Sequence, residues 1–119
     1  MARTTTAIKL NSKFPYGGTY GYLKTSEDYM NVYATWETPR NTYVYAKMTL
    51  QRRVDGKWKS IETKGAYAEN GFGKHYNANV RFTNIAKKNA LMRVKLSLHS
   101  GWKRDSPAMQ TAYSKTWKR

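Results

Sequence analysis

The 119-residue chain has no cysteine, three prolines, two histidines and seven acidic residues. Without cysteine it has no disulfide, no thiol nucleophile, no zinc ribbon and no iron–sulfur ligand. The scattered acids and the isolated His75 and His99 give no metal-ligand spacing. Glu27-Asp28 is the one adjacent acid pair and reads as a turn, which disfavours a paired-carboxylate glycosidase. Apolar runs of a few residues leave no candidate transmembrane helix. Met1-Ala2-Arg3-Thr4-Thr5-Thr6 has no apolar segment behind its positive residue, so no secretory signal is visible. A cytoplasmic protein fits this, and so does a mature secreted one with a start Met added. Gly71-Phe-Gly-Lys74 lacks the frame and following helix of a phosphate loop. No segment carries a helical apolar stripe, and residues 84–92 are the one place where a turn of helix is expected.

Against seven acids stand 22 Lys and Arg, a formal net charge of +15. Residues 1–37 carry four bases against three acids, residues 38–74 eight against three, and residues 75–119 ten against one. Such an excess opposes compaction by self-repulsion, and a polyanionic partner is the usual reason to keep it; solubility alone is the plainer reason. Ten Tyr and four Trp exclude a disordered basic tail. A chain of this length buries roughly two-thirds of its unfolded surface, so residues 1–119 are expected to form a single domain without a staple.

The dominant pattern has period two, the signature of strands. In 42–53, Val44, Ala46, Met48 and Leu50 share one face, with Tyr43, Tyr45, Lys47, Gln51 and Arg53 on the other. In 91–100, Met92, Val94, Leu96 and Leu98 oppose Arg93, Lys95, Ser97 and His99. In 29–37 the inner residues are Met30, Val32, Ala34 and Trp36; in 76–85 they are Ala78, Val80 and Phe82. Residues 3–10 predict a first strand with Thr6, Ile8 and Leu10 inward. Residues 19–23 add a short one after the turn Pro15-Tyr16-Gly17-Gly18, and 108–117 a last one. Asp55-Gly56 between two such runs predicts a type I′ hairpin turn. That turn pairs Arg53 with Trp58, Leu50 with Ile61 and Thr49 with Glu62.

Leu50-Gln-Arg-Arg-Val-Asp-Gly-Lys-Trp58-Lys-Ser-Ile61, Val80-Arg-Phe82-Thr-Asn-Ile85 and Met92-Arg-Val94-Lys-Leu96-Ser-Leu98-His-Ser-Gly101 follow one another in the chain. In this order they resemble an immunoglobulin-like or fibronectin type III module, over about residues 29–117, of the kind found in small secreted bacterial proteins. Two departures stand out: Met92 occupies the place of a corner Tyr, and the inter-sheet cysteines are absent. The expected fold is all-β, a single immunoglobulin-like antiparallel β-sandwich of about seven to eight strands.

The resemblance implies that the hairpin and the last two strands share a sheet. Its outer side would carry Tyr43, Tyr45, Lys47, Arg53, Trp58, Arg93 and Lys95. Cations release counterions from a polyanion, and rings stack on bases or sugars or sit among lipid headgroups. Strand-forming Tyr and Thr on a solvated face explain the same residues without a ligand. The connection Ser100–Pro107 offers Trp102, Lys103 and Arg104 as a contact tip, unless Trp102 folds back to cap the core. Lys115-Thr-Trp117-Lys118-Arg119 repeats the ring-plus-cation theme or is a fraying strand end. A small ribonuclease would need His75 or His99 as acid, Glu62 or Glu69 as base and Arg81 or Arg93 as phosphate clamp, and no spacing singles them out.

The expected function is therefore non-catalytic and needs no cofactor, metal or small-molecule substrate. A secreted cationic protein would dock on a bacterial envelope through teichoic acid, anionic lipid or acidic glycan, as a bacteriocin-like antibacterial does. A cytoplasmic nucleic-acid binder using the same face, and an inhibitor or adaptor of an acidic protein, are the alternatives.

Overall fold

Alternate residues of the long strands vanish from solvent, and those residues meet between two sheets. The computed structural model describes residues 2–14, 17–71 and 73–119, and among these there is no helix. Ten strands form: β1 (Arg3–Lys9), β2 (Tyr20–Glu27), β3 (Val32–Glu37), β4 (Thr42–Val54), β5 (Lys57–Asn70), β6 (His75–Tyr76), β7 (Ala78–Phe82), β8 (Leu91–Ser100), β9 (Gln110–Tyr113) and β10 (Trp117–Lys118). One antiparallel sheet runs β1-β2-β3-β7; the other runs β10-β8-β4-β5-β6, with β9 also on β8. The core lies between them. Leu23, Val32, Ala34, Trp36 and Phe82 of the first sheet are buried, as are Val44, Ala46, Met48, Leu50, Met92, Val94, Leu96 and Leu98 of the second.

Most inward faces read from the alternation hold. Met30 does not: β3 begins at Val32, and Met30 lies exposed in the preceding turn. β2 is longer than the short strand expected at 19–23. Residues 84–92 form no helical turn, because Asn84 and Asn89 take positive φ (56° and 52°), which interrupts any helix. The last strand is split at Ser114, whose hydroxyl accepts from the Val94 amide at 2.8 Å in place of a backbone carbonyl. That split and the short β6 raise the count above the seven or eight strands expected. Pro15 and Tyr16 of the turn at 15–18 lie outside the described residues, as do Phe72 and Met1.

The hairpin turn forms as read, with φ of 53° at Asp55 and 77° at Gly56, and Arg53 faces Trp58. Further along, the expected register fails. Leu50 pairs with Glu62 and Thr49 with Thr63, because Ile61 is an extra residue opposite the Leu50/Gln51 step. This β-bulge reverses the faces of β5. Trp58 and Tyr67, nine residues apart and so of opposite parity, therefore both reach the outer face. Ala66 and Ala68 turn inward.

The C-terminal segment does not fray: Trp117 and Arg119 are buried, while Lys115 and Lys118 stay exposed. The Arg119 guanidinium makes five hydrogen bonds. Nε and Nη2 donate to the Ile85 carbonyl (3.1 and 2.6 Å), Nη2 to Tyr29 O (3.2 Å), and Nη1 to Asp28 O (2.9 Å) and Glu27 Oε1 (3.2 Å). Glu27 Oε1 also accepts from Trp117 Nε1 at 2.9 Å. One side chain thus ties the β2–β3 turn, the β7–β8 connection and the last strand together. Removing one partner of a buried pair typically costs about 3–5 kcal/mol. Arg119→Gln should lose that much in denaturant unfolding, with Arg119→Lys recovering only part because it lacks the planar fork.

The Asp28 turn presents two of those carbonyls. The Tyr33 hydroxyl, at 2.6 Å, and the Asn31 and Met30 amides hold the Asp28 carboxyl down from the ordinary 3.8 to about 2. A lowered folded-state value stabilises the fold above the unfolded value and loses that contribution as pH falls toward about 2. Acid titration of stability between about pH 4 and pH 2 should be flatter in Asp28→Asn than in the parent protein.

Candidate functional site

β4 is the spine of a face. Its outward residues meet neighbours on both sides in successive rows. Tyr45 lies between Tyr67 and His99, Lys47 between Gly65 and Ser97, Thr49 between Thr63 and Lys95, and Gln51 between Ser60 and Arg93. Arg53 faces Trp58, and β9 adds Tyr113 beside Lys95. Tyr43, Tyr45, Lys47, Arg53, Trp58, Arg93 and Lys95 thus stand on one surface. Tyr67 and Tyr113, which the sequence reading missed, stand there too. Tyr67 was hidden by the bulge and Tyr113 by the uncertain inward face of its strand.

At the hairpin end, rings hold the guanidinium groups. Arg93 lies between two rings, 4.1 Å from the Tyr113 centroid and 4.2 Å from that of Trp58. Its Nε donates to Gln51 Oε1 at 2.8 Å, which fixes the plane and leaves the Nη groups without a protein acceptor among the described residues. Arg53 sits 5.7 Å from the same Trp58 ring. Cation–π contacts of this kind stabilise by about 0.5–1 kcal/mol at exposed sites and pre-orient the charge.

At the other end the rings touch one another. Tyr43 and Tyr67 stack at 5.9 Å, Tyr45 meets Tyr67 at 4.8 Å, and Trp102 stands edge-on to Tyr43 at 4.8 Å. Trp102 is 74% exposed, so it does not cap the core. The Tyr45 and Tyr43 rings lie over Gly65 and Gly101, where an added Cβ would come within 2.4 and 2.5 Å of ring atoms.

The 101–109 connection folds back over this end and is anchored through His99. His99 points outward from β8 yet is buried. Its Nδ1 is 2.8 Å from the Ser106 carbonyl. A carbonyl can only accept, so Nδ1 carries a proton, while Nε2 lies 3.0 Å from Ser97 Oγ. Arg104 reaches back to 5.9 Å from the Tyr45 centroid, while Lys103 is exposed beside it. Between connection and sheet opens a cleft of about 430 Å³ lined by Tyr45, Lys47, His99, Arg104, Asp105 and Ser106.

Among the described residues the cations of this face have no carboxylate partner. Among the described residues the ion pairs are Lys24–Glu37 (2.7 Å), on the opposite sheet, and the buried Arg119–Glu27. Among the described residues no carboxylate lies within 4.0 Å of Lys47, Arg53, Arg93, Lys95, Lys103 or Arg104. Glu69, on the same face, is buried and accepts from the Tyr76 hydroxyl at 3.3 Å. Burial, with the Glu69 charge beside it, pushes the Tyr76 hydroxyl above its ordinary pKa.

Of the residues a ribonuclease would need, Arg81 belongs to the four-stranded sheet, Glu62 lies on the opposite face of β5 from Glu69, and His75 is exposed on β6. Glu69, His99 and Arg93 share the outer face of the six-stranded sheet, and both nitrogens of His99 are engaged. Among the described residues no group of three or more His, Asp or Glu could hold a metal ion, and no helix is long and apolar enough to cross a membrane. No family model matches the chain, and neither a curated protein nor a solved structure does.

Gly65→Ala should displace the Tyr45 ring. Overpacking of this kind costs about 1–3 kcal/mol. The near-ultraviolet circular dichroism of the tyrosines should change with it, and Tyr45→Ala in the same chain should relieve most of the cost.

Proposed function

We propose that the protein is a secreted, non-catalytic, cationic binding protein that docks on a polyanionic bacterial envelope through the outer face of the six-stranded sheet, in the manner of a bacteriocin-like antibacterial. The observation that carries this reading is the set of four cations on the sheet face and two on the adjoining connection with no carboxylate partner among the described residues, three of them lying against rings. A face built for solubility alone would not need a guanidinium group held between two aromatic rings. Strand order supports the immunoglobulin-like reading of the fold: β2-β3-β7 against β5-β4-β8-β9 follows the A-B-E against C′-C-F-G arrangement of such modules, with β1 and β6 as extra edge strands. That likeness bears on fold and not on function.

Labelled protein mixed with intact Gram-positive cells at about 150 mM salt, physiological ionic strength, should sediment with the cells despite excess nucleic acid. Stripping by nucleic acid would instead favour a nucleic-acid ligand for the same face. Replacing Arg53, Arg93 and Lys95 together with Gln removes about 1 kcal/mol per cation, so retention should fall on the order of a hundredfold, with a shallower salt dependence. The same charge change at Arg3, Lys9 and Arg81 on the opposite sheet should leave most binding in place. Equal losses from the two triple variants would reduce the interaction to net charge.

A further inference from the structure

The cleft beneath the 101–109 connection sets an exposed carboxylate, Asp105, beside two cations, whereas Glu69 elsewhere on the face is buried. Lys47 enters from β4 and Arg104 and Asp105 from the connection, over a floor of Tyr45 and the buried His99. Asp105 is paired with neither cation among the described residues. The floor is fixed: Ser106 and Ser97 hold the His99 ring, and Tyr45 rests on Gly65. At about 430 Å³ the space lies within the range of small-molecule sites.

A ligand with only negative charge would satisfy Lys47 and Arg104 but face repulsion from Asp105. A purely cationic ligand has the converse difficulty. A group carrying a phosphate and an ammonium a few bonds apart meets all three. We propose that this cleft takes one amine-bearing phosphodiester unit of a polymer, such as an aminoacyl ester of a polyol phosphate. Lys47 and Arg104 hold the phosphate oxygens, and Asp105 holds the ammonium. The proposal rests on the polyanion reading above and narrows it, since the surrounding face would bind phosphodiesters of any kind whereas the cleft selects those that carry an amine.

Bulk electrostatics makes the opposite prediction, which gives the test its force. Adding amines to a phosphodiester polymer lowers its net charge and weakens binding driven by counterion release. The probes are a glycerol phosphate polymer bearing alanyl esters and the same polymer after the esters are removed by mild alkali, titrated by fluorescence anisotropy at equal phosphate. The expected result is a several-fold preference for the esterified polymer. Asp105→Asn should erase that preference without weakening binding to the stripped polymer, and Lys47→Gln with Arg104→Gln should weaken both. Asp105 is exposed, so its variant leaves the fold intact, which thermal unfolding verifies. The proposal is overturned if the parent protein prefers the stripped polymer, or if Asp105→Asn keeps the preference. Tighter binding to phosphatidylethanolamine vesicles than to the esterified polymer would also overturn it. Binding to both polymers without preference sinks the cleft assignment alone; binding to neither sinks the polyanion reading with it.

Discussion

The alternation of side chains along β4 is the constraint on which the rest depends. β4 pairs with β5 on one side and β8 on the other, so its two faces become the two faces of the larger sheet. Val44, Ala46, Met48 and Leu50 build the core because they point one way. Tyr43, Tyr45, Lys47 and Thr49 build the charged surface because they point the other. A slip of one residue would put lysine into the core and leucine into water, which is why burial specifies the register so strongly. Core and candidate site are thus two consequences of one pattern.

That pattern is also why much of the molecule was legible. β4 and β8 are long, strictly alternating and buried on one side, and Asp-Gly admits few backbone conformations. The seven outer-face residues followed from these. What was not legible depended on single residues acting at a distance. Ile61 has no local mark as a bulge, being an ordinary strand former; only its partner strand makes it surplus. Ser114 breaks the last strand by bonding to Val94, twenty residues earlier in the chain. Arg119 reads as one more surface cation in a basic tail until four acceptors from distant turns surround it. The floor of the cleft depends on the 101–109 connection folding back onto His99, which composition does not encode.

Cations in this protein follow two regimes. Arg119 is buried with a carboxylate and a ring of carbonyls, where desolvation is offset by fully satisfied donors. Those on the outer face have solvent and aromatic rings and no carboxylate. Leaving them so costs stability through mutual repulsion. The apolar layer between the sheets and the Arg119 network resist that repulsion, and the excess stays concentrated where a ligand can reach it.

The two ring-over-glycine contacts have a consequence for how such a chain can change over generations. Positions 65 and 45, and likewise 101 and 43, are locked in pairs, because the space a larger residue would need at the glycine is already filled by the tyrosine ring. Either tyrosine can shrink first and leave a gap, whereas a glycine that grows first must push the ring aside. Mutational paths through these four sites are therefore easier in one direction, with the aromatic residue as the gatekeeper of its glycine.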